Sequence, residues 1–153
     1  MSAASNPRAD RQMTWPQMAA LAFGVVYLAV GIIGFFITGF DNFAGNEHGA
    51  VMEHGDDKLL WFMINPLHNV VHIVIGVAGI ALSRTLTGAR TYGWLLAIGY
   101  GAAFIYGLIA IGEEWDFLNI NAGDNWLHIL SALAGLVVAV GPVRSAVGTG
   151  RRG

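Results

Sequence analysis

Apolar residues fall into four long runs along the chain, at about 16–38, 59–82, 92–111 and 125–143. A bilayer core of about 30 Å asks for about 20 apolar residues in one helix, so each run is long enough to span. The pattern predicts an all-α, integral membrane four-helix bundle built from two tandem helical hairpins. Residues 1–14 and 144–153 read as cytoplasmic tails, and 15–143 as a single transmembrane domain. Pro16 suits the first turn of a helix, where a missing N–H costs nothing. The first run is too long for the apolar region of a signal peptide, about 7–15 residues, and no small-x-small cleavage site follows it. It therefore reads as an uncleaved helix.

Charge gives the runs a direction. Arg8 and Arg11 precede the first, Arg84 and Arg90 lie between the second and third, and Arg144, Arg151 and Arg152 follow the fourth. Lys58 alone lies on the other side. By the positive-inside rule both tails and the middle connection are cytoplasmic. Asp41, Glu47, Glu53, Asp56, Asp57, Glu113, Glu114, Asp116 and Asp124 gather in the two outer connections. Trp61, Trp94, Trp115 and Trp126 lie near the expected boundaries and read as interfacial anchors.

The second and fourth runs share a pattern. Asn69-Val-Val-His72 has Gly79 seven positions after its histidine, and Asn125-Trp-Leu-His128 has Gly135 at the same spacing. Isoleucine follows both histidines. The first and third runs match more loosely, through Gly31 and Gly107. Two hairpins of equal orientation predict a pseudo-twofold axis along the membrane normal. Helical spacing also lines up Asn65, His68, Asn69, His72, Gly76 and Gly79 on one face, and Asn125, His128, Ala132 and Gly135 on another. Polar groups facing lipid are costly, so both stripes should face the bundle interior, with His72 and His128 near one another toward its outer side. Gly99, Ala103 and Gly107, like Ser131, Gly135 and Ala139, have the spacing that lets helices approach closely. Asn65-Pro66 reads as a helix cap with proline at the first position, and Asp124 as the cap of the fourth helix.

Composition narrows the chemistry. Only 12% of residues are charged, against about a quarter in soluble domains, which supports the membrane reading. Cysteine is absent, so disulfides and thiolate ligands are excluded. A net charge of −2 argues against general affinity for nucleic acid. Phosphate-binding loops, zincin motifs and nucleophile elbows are missing, and Ser131 sits beside His128 with nothing to expose it. The stripe has three readings. The leading one is interhelical hydrogen bonding by Asn65, His68, Asn69, His72, Asn125 and His128. The others are a metal or haem site on His68, His72 and His128, with Glu113, Glu114 or Asp116 nearby, and a proton or ligand pathway. Charges deep in the membrane or broken helices, usual in transporters, are lacking. Glu47, His48, Glu53, His54, Asp56 and Asp57 read as a solvated, glycine-rich loop, with a weak divalent-cation site as the alternative.

The elements Asn65-Pro-Leu-His-Asn-Val-Val-His72 and Asp124-Asn-Trp-Leu-His128 resemble those of a domain-of-unknown-function family, number 4383, of small four-helix bacterial membrane proteins. The resemblance runs from about Met18 to Val143. It implies a bacterial inner-membrane location and assigns no reaction. The leading expectation is a non-enzymatic protein, structural or partner-binding, in contact with the lipid bilayer and with possible protein partners or further copies of itself. The alternative is a module binding a metal, haem or small ligand through the histidines.

Overall fold

The structure is a computed structural model that describes residues 12–45 and 58–143. It consists of four helices: α1 (Trp15–Thr38), α2 (Pro66–Leu82), α3 (Leu86–Ala110) and α4 (Ala122–Val140). Two short antiparallel strands, β1 (Lys58–Leu59) and β2 (Phe62–Met63), precede α2. The lengths and apolar character of α1, α3 and α4 suffice to cross a membrane, while α2 is apolar but shorter.

Local chemistry moves the starts of three helices and the end of the last. The pattern predicts the second helix from about residue 59, yet α2 begins at Pro66. Asn65 is extended, as a residue before proline must be, and its side chain accepts from His68 N. The preceding apolar residues form the strand pair instead. The third helix starts at Leu86 and not near 92, because Thr85 caps it through Gly88 N. Arg90 therefore lies inside α3 and not in the connection. The fourth begins at Ala122 and ends at Val140, ahead of Gly141-Pro142. Its cap is Asn121. Asp124, expected as the cap, occupies the third helical position and closes a capping box with Asn121.

The helices pack as two hairpins, α1 on α2 and α3 on α4. Close approach explains the glycines. A side chain at Gly24 would strike the backbone of Gly76 and Gly79, and one at Gly135 would strike Gly93 and Ala97. Gly99 departs from the expected stripe, since it has open space around it. Between the hairpins lies a core of Ala20, Tyr27, Ala89, Tyr92, Leu96, Tyr100 and Ala132.

Candidate functional site: a buried histidine and tyrosine cluster

The end of the bundle where α2 and α4 begin is closed by two segments that hold each other. Asn65 Nδ2 donates to Phe117 O at 2.9 Å and to Gly45 O at 3.0 Å. Asn121 Nδ2 donates to Trp61 O at 2.8 Å. Each cap asparagine thus grips the carbonyl four residues ahead of the other hairpin's cap. Asn119 Nδ2 adds a bond to Ile64 O, and Asp124 Oδ2 accepts from Met63 N. Asp116, weighed above as a carboxylate near the histidines, is committed to this lid. Its oxygens accept from Tyr106 Oη, Leu118 N and Ile120 N. Glu113 and Glu114 are exposed.

Beneath the lid the three helical histidines converge. His68, His72 and His128 are all buried. The ring centroids of His68 and His72 are 4.6 Å apart, and those of His68 and His128 are 6.2 Å apart. His68 also meets the backbone of Leu118 and Met63, and His128 that of Ala103. Each has a buried Nδ1 with no hydrogen-bond partner. Orphaned buried nitrogens are uncommon and call for an explanation. Among the described residues, no three histidine or acidic side chains stand in position to hold one metal ion.

The two asparagines of the stripe serve a different purpose from the rings. Asn69 Nδ2 donates to Thr38 Oγ1 at 3.0 Å, and the side chain fills the space over Gly34. Asn125 lies in the same way over Gly107. Both side chains therefore pack against the other helix of their own hairpin. The segment holding Glu47, His48, Glu53, His54, Asp56 and Asp57 lies outside the described residues.

Tyrosines complete the cluster, and sequence reasoning missed them. Tyr27 stacks on His72 with centroids 5.6 Å apart, Tyr100 meets His128 at 5.5 Å, and the two phenol rings stack at 5.3 Å. Tyr27 Oη and Ser131 Oγ share a buried hydrogen bond of 2.8 Å that ties α1 to α4. The available signal was a phenol hydroxyl in the middle of each odd-numbered apolar run. Such a group needs a polar neighbour, so it points inward as the histidines do.

Matched interactions recur at the other end of the bundle. Gln17 Nε2 donates to Ser83 O, at the end of α2, and Arg90 donates to Gly141 O, at the end of α4. In each hairpin, the first turn of the leading helix holds the last turn of its partner. Gly34 lies against the Asn69 side chain as Gly107 does against that of Asn125, while Gly31 faces Asn69 O and Ile73.

No curated protein and no solved structure matched the chain. The sequence model of a family described as "Domain of unknown function (DUF4383)" matches residues 17–141, nearly all of the helical part and both asparagine–histidine elements, and the chain belongs to that family.

Proposed function

We propose that the protein crosses the bacterial inner membrane four times, with both termini cytoplasmic, and serves as a non-enzymatic module that holds a partner or ligand. Three helices have the length to span, and α2, at about 25 Å, falls only a few ångströms short of the core. Mismatch of that size costs fractions of a kcal/mol per Å. Arg84 and Arg90 lie at one end of the bundle, and Lys58 with the described acids Asp41, Glu113, Glu114, Asp116 and Asp124 at the other, which supports the orientation. The two hairpins are read as copies related by a pseudo-twofold axis. In support, Ile64, Asn65, Asn69, His72 and Gly79 correspond at one constant offset to Ile120, Asn121, Asn125, His128 and Gly135. Gln17, Tyr27 and Gly34 likewise correspond to Arg90, Tyr100 and Gly107.

The observation that carries this reading is the reciprocal exchange of cap asparagines, Asn65 to Phe117 and Asn121 to Trp61. It joins two self-contained hairpins under a closed lid and leaves Ser131 bonded to Tyr27 in the interior. Such a design suits holding more than catalysis. The test is to express the chain as two fragments divided at Arg84. Co-expressed halves should co-purify from membranes, and Asn65→Ala with Asn121→Ala should abolish recovery of the pair. Halves that never associate would overturn the two-hairpin reading.

A second reading treats His68, His72 and His128 as a metal or haem site, and the three orphaned Nδ1 atoms favour it. The rings would have to turn to share an ion. Metal analysis and an absorption spectrum on detergent-purified protein test it. Stoichiometric metal that vanishes in His72→Asn and His128→Asn would establish the site. A metal-free protein without a Soret band, even after incubation with zinc, iron or haem, would exclude it.

A further inference from the structure

We infer that the interior column of imidazoles and phenols relays protons along the bundle axis, so that the protein is a proton-permeable element of its membrane. The inference rests on the membrane-spanning reading above. It begins from the order of the groups. His68 lies in the first turn of α2, and His72 one turn deeper, about 6 Å along the axis. From these the rings pass to His128, Tyr27 and Tyr100, with centroid separations between 4.6 and 6.2 Å. Ser131 joins at Tyr27. Tyr92, two turns before Tyr100 on α3 and about 12 Å nearer the opposite end, belongs to the same buried core as Tyr27 and Tyr100. All seven groups are buried.

Each member can both accept and release a proton, which sets the column apart from packing glue. A neutral imidazole takes a proton at its bare nitrogen and gives up the one on the other. A hydroxyl accepts on oxygen while its own proton leaves. Charge and atoms balance at every step, and the rings turn back to reset the chain. Five polar atoms on this line have no hydrogen-bond partner: Nδ1 of His68, His72 and His128, and the hydroxyls of Tyr92 and Tyr100. The side-chain oxygens of Asn69 and Asn125 beside the column are likewise without a partner, whereas Asn65 and Asn121 close their bonds on backbone carbonyls at the lid.

The experiment uses the full chain in phosphatidylcholine–phosphatidylglycerol vesicles with a pH-sensitive dye trapped inside. Valinomycin and a potassium gradient set the driving force. Wild type should acidify the lumen several-fold faster than protein-free vesicles, without releasing trapped carboxyfluorescein. His72→Phe with His128→Phe keeps ring volume and removes the transferable proton, and should reduce the flux at least tenfold. Tyr27→Phe should reduce it in part. Wild-type flux equal to that of empty vesicles overturns the inference without any variant having to fold, as does a flux that survives loss of both histidines or is accompanied by dye leakage. Flotation of the vesicles with bound protein, and labelling of an introduced cysteine at residue 84 against one at 114, report separately on the membrane reading.

Discussion

At Gly34 and Gly107 the helix surface leaves room for a hydrogen atom and nothing more. A methyl group at either would enter the space of the Asn69 or Asn125 side chain. Gly34→Ala and Gly107→Ala should therefore each destabilise the folded protein by about 1–3 kcal/mol, the usual cost of overpacking, read as a fall in thermal midpoint in detergent. Gly99→Ala, in open space, should leave it nearly unchanged. Ser131 makes a finer point. Its counterpart at the same offset is Ile75, and Tyr100, the counterpart of Tyr27, has a hydroxyl without a partner. If the pseudo-twofold reading holds, a serine at 75 reaches that hydroxyl. Ile75→Ser should then be less destabilising than Ile75→Ala, by about 0.6 kcal/mol. Without a partner a buried serine costs more than alanine, so the opposite order would count against the twofold. The stripe of Asn65, His68, Asn69, His72, Asn125 and His128 was legible because spacing alone puts these residues on interior faces. What each one touches was not. An asparagine in a helix shows its face, but whether it meets an imidazole or a neighbouring glycine depends on the partner helix.

Elements are bounded by caps more than by hydropathy. Asn65, Thr85 and Asn121 start α2, α3 and α4, and each accepts a bond from a backbone N–H three residues on. Two of these starts differ from the apolar runs by six or seven residues. Hydropathy marks the lipid-exposed middle of a helix, while the first turns of α3 are polar and helical at once. Asn65-Pro66 was a readable start signal, and it outweighs the apolar Leu59–Ile64 ahead of it. Asn121 was harder to see, because Asp124 offers the same capping chemistry nearby. Loss of a cap costs about 0.5–2 kcal/mol. Asn121→Ala and Asn65→Ala also lose the bonds across the lid, so each should exceed the cost of Thr85→Ala, which caps α3 from an exposed position. Combined, the two asparagine changes should cost less than the sum of the single ones, since either alone loosens the shared lid. A double-mutant cycle on thermal stability measures this. Strict additivity would mean the two bonds act separately.

For the whole molecule, the helix count, the all-α class and the family were readable from the sequence, because apolar length and two asparagine–histidine elements carry them. The pairing of α1 with α2 and α3 with α4 was expected from the repeated asparagine–histidine pattern and not from loop length, since the shortest connection, 83–85, joins helices of different hairpins. The lid did not, since it depends on carbonyls at Trp61 and Phe117 that leave no mark in the side-chain pattern. Orientation remains a matter for chemistry on cells. Arg84 is exposed in the turn between α2 and α3, whereas Arg90 is half-buried and bonded to Gly141. Residue 84 is therefore the better site for a cysteine. In intact cells an impermeant thiol reagent should label Glu114→Cys and spare Arg84→Cys, and the reverse result would invert the topology.

The two seams between the hairpins are not equally fastened. Where α1 faces α4, Tyr27 bonds Ser131 at mid-depth and Trp15 Nε1 donates to Pro142 O at the end, at 2.8 Å each. Where α2 faces α3, a cavity of about 230 Å³ opens between Val74, Ile75 and Ala78 on one side and Tyr92, Leu95 and Tyr100 on the other. That seam is buckled at both ends, by the turn 83–85 and by the bond of Asn65 to Phe117. Slack in the bundle is therefore concentrated at mid-depth between α2 and α3, where the two helices stand apart, and not along an open edge.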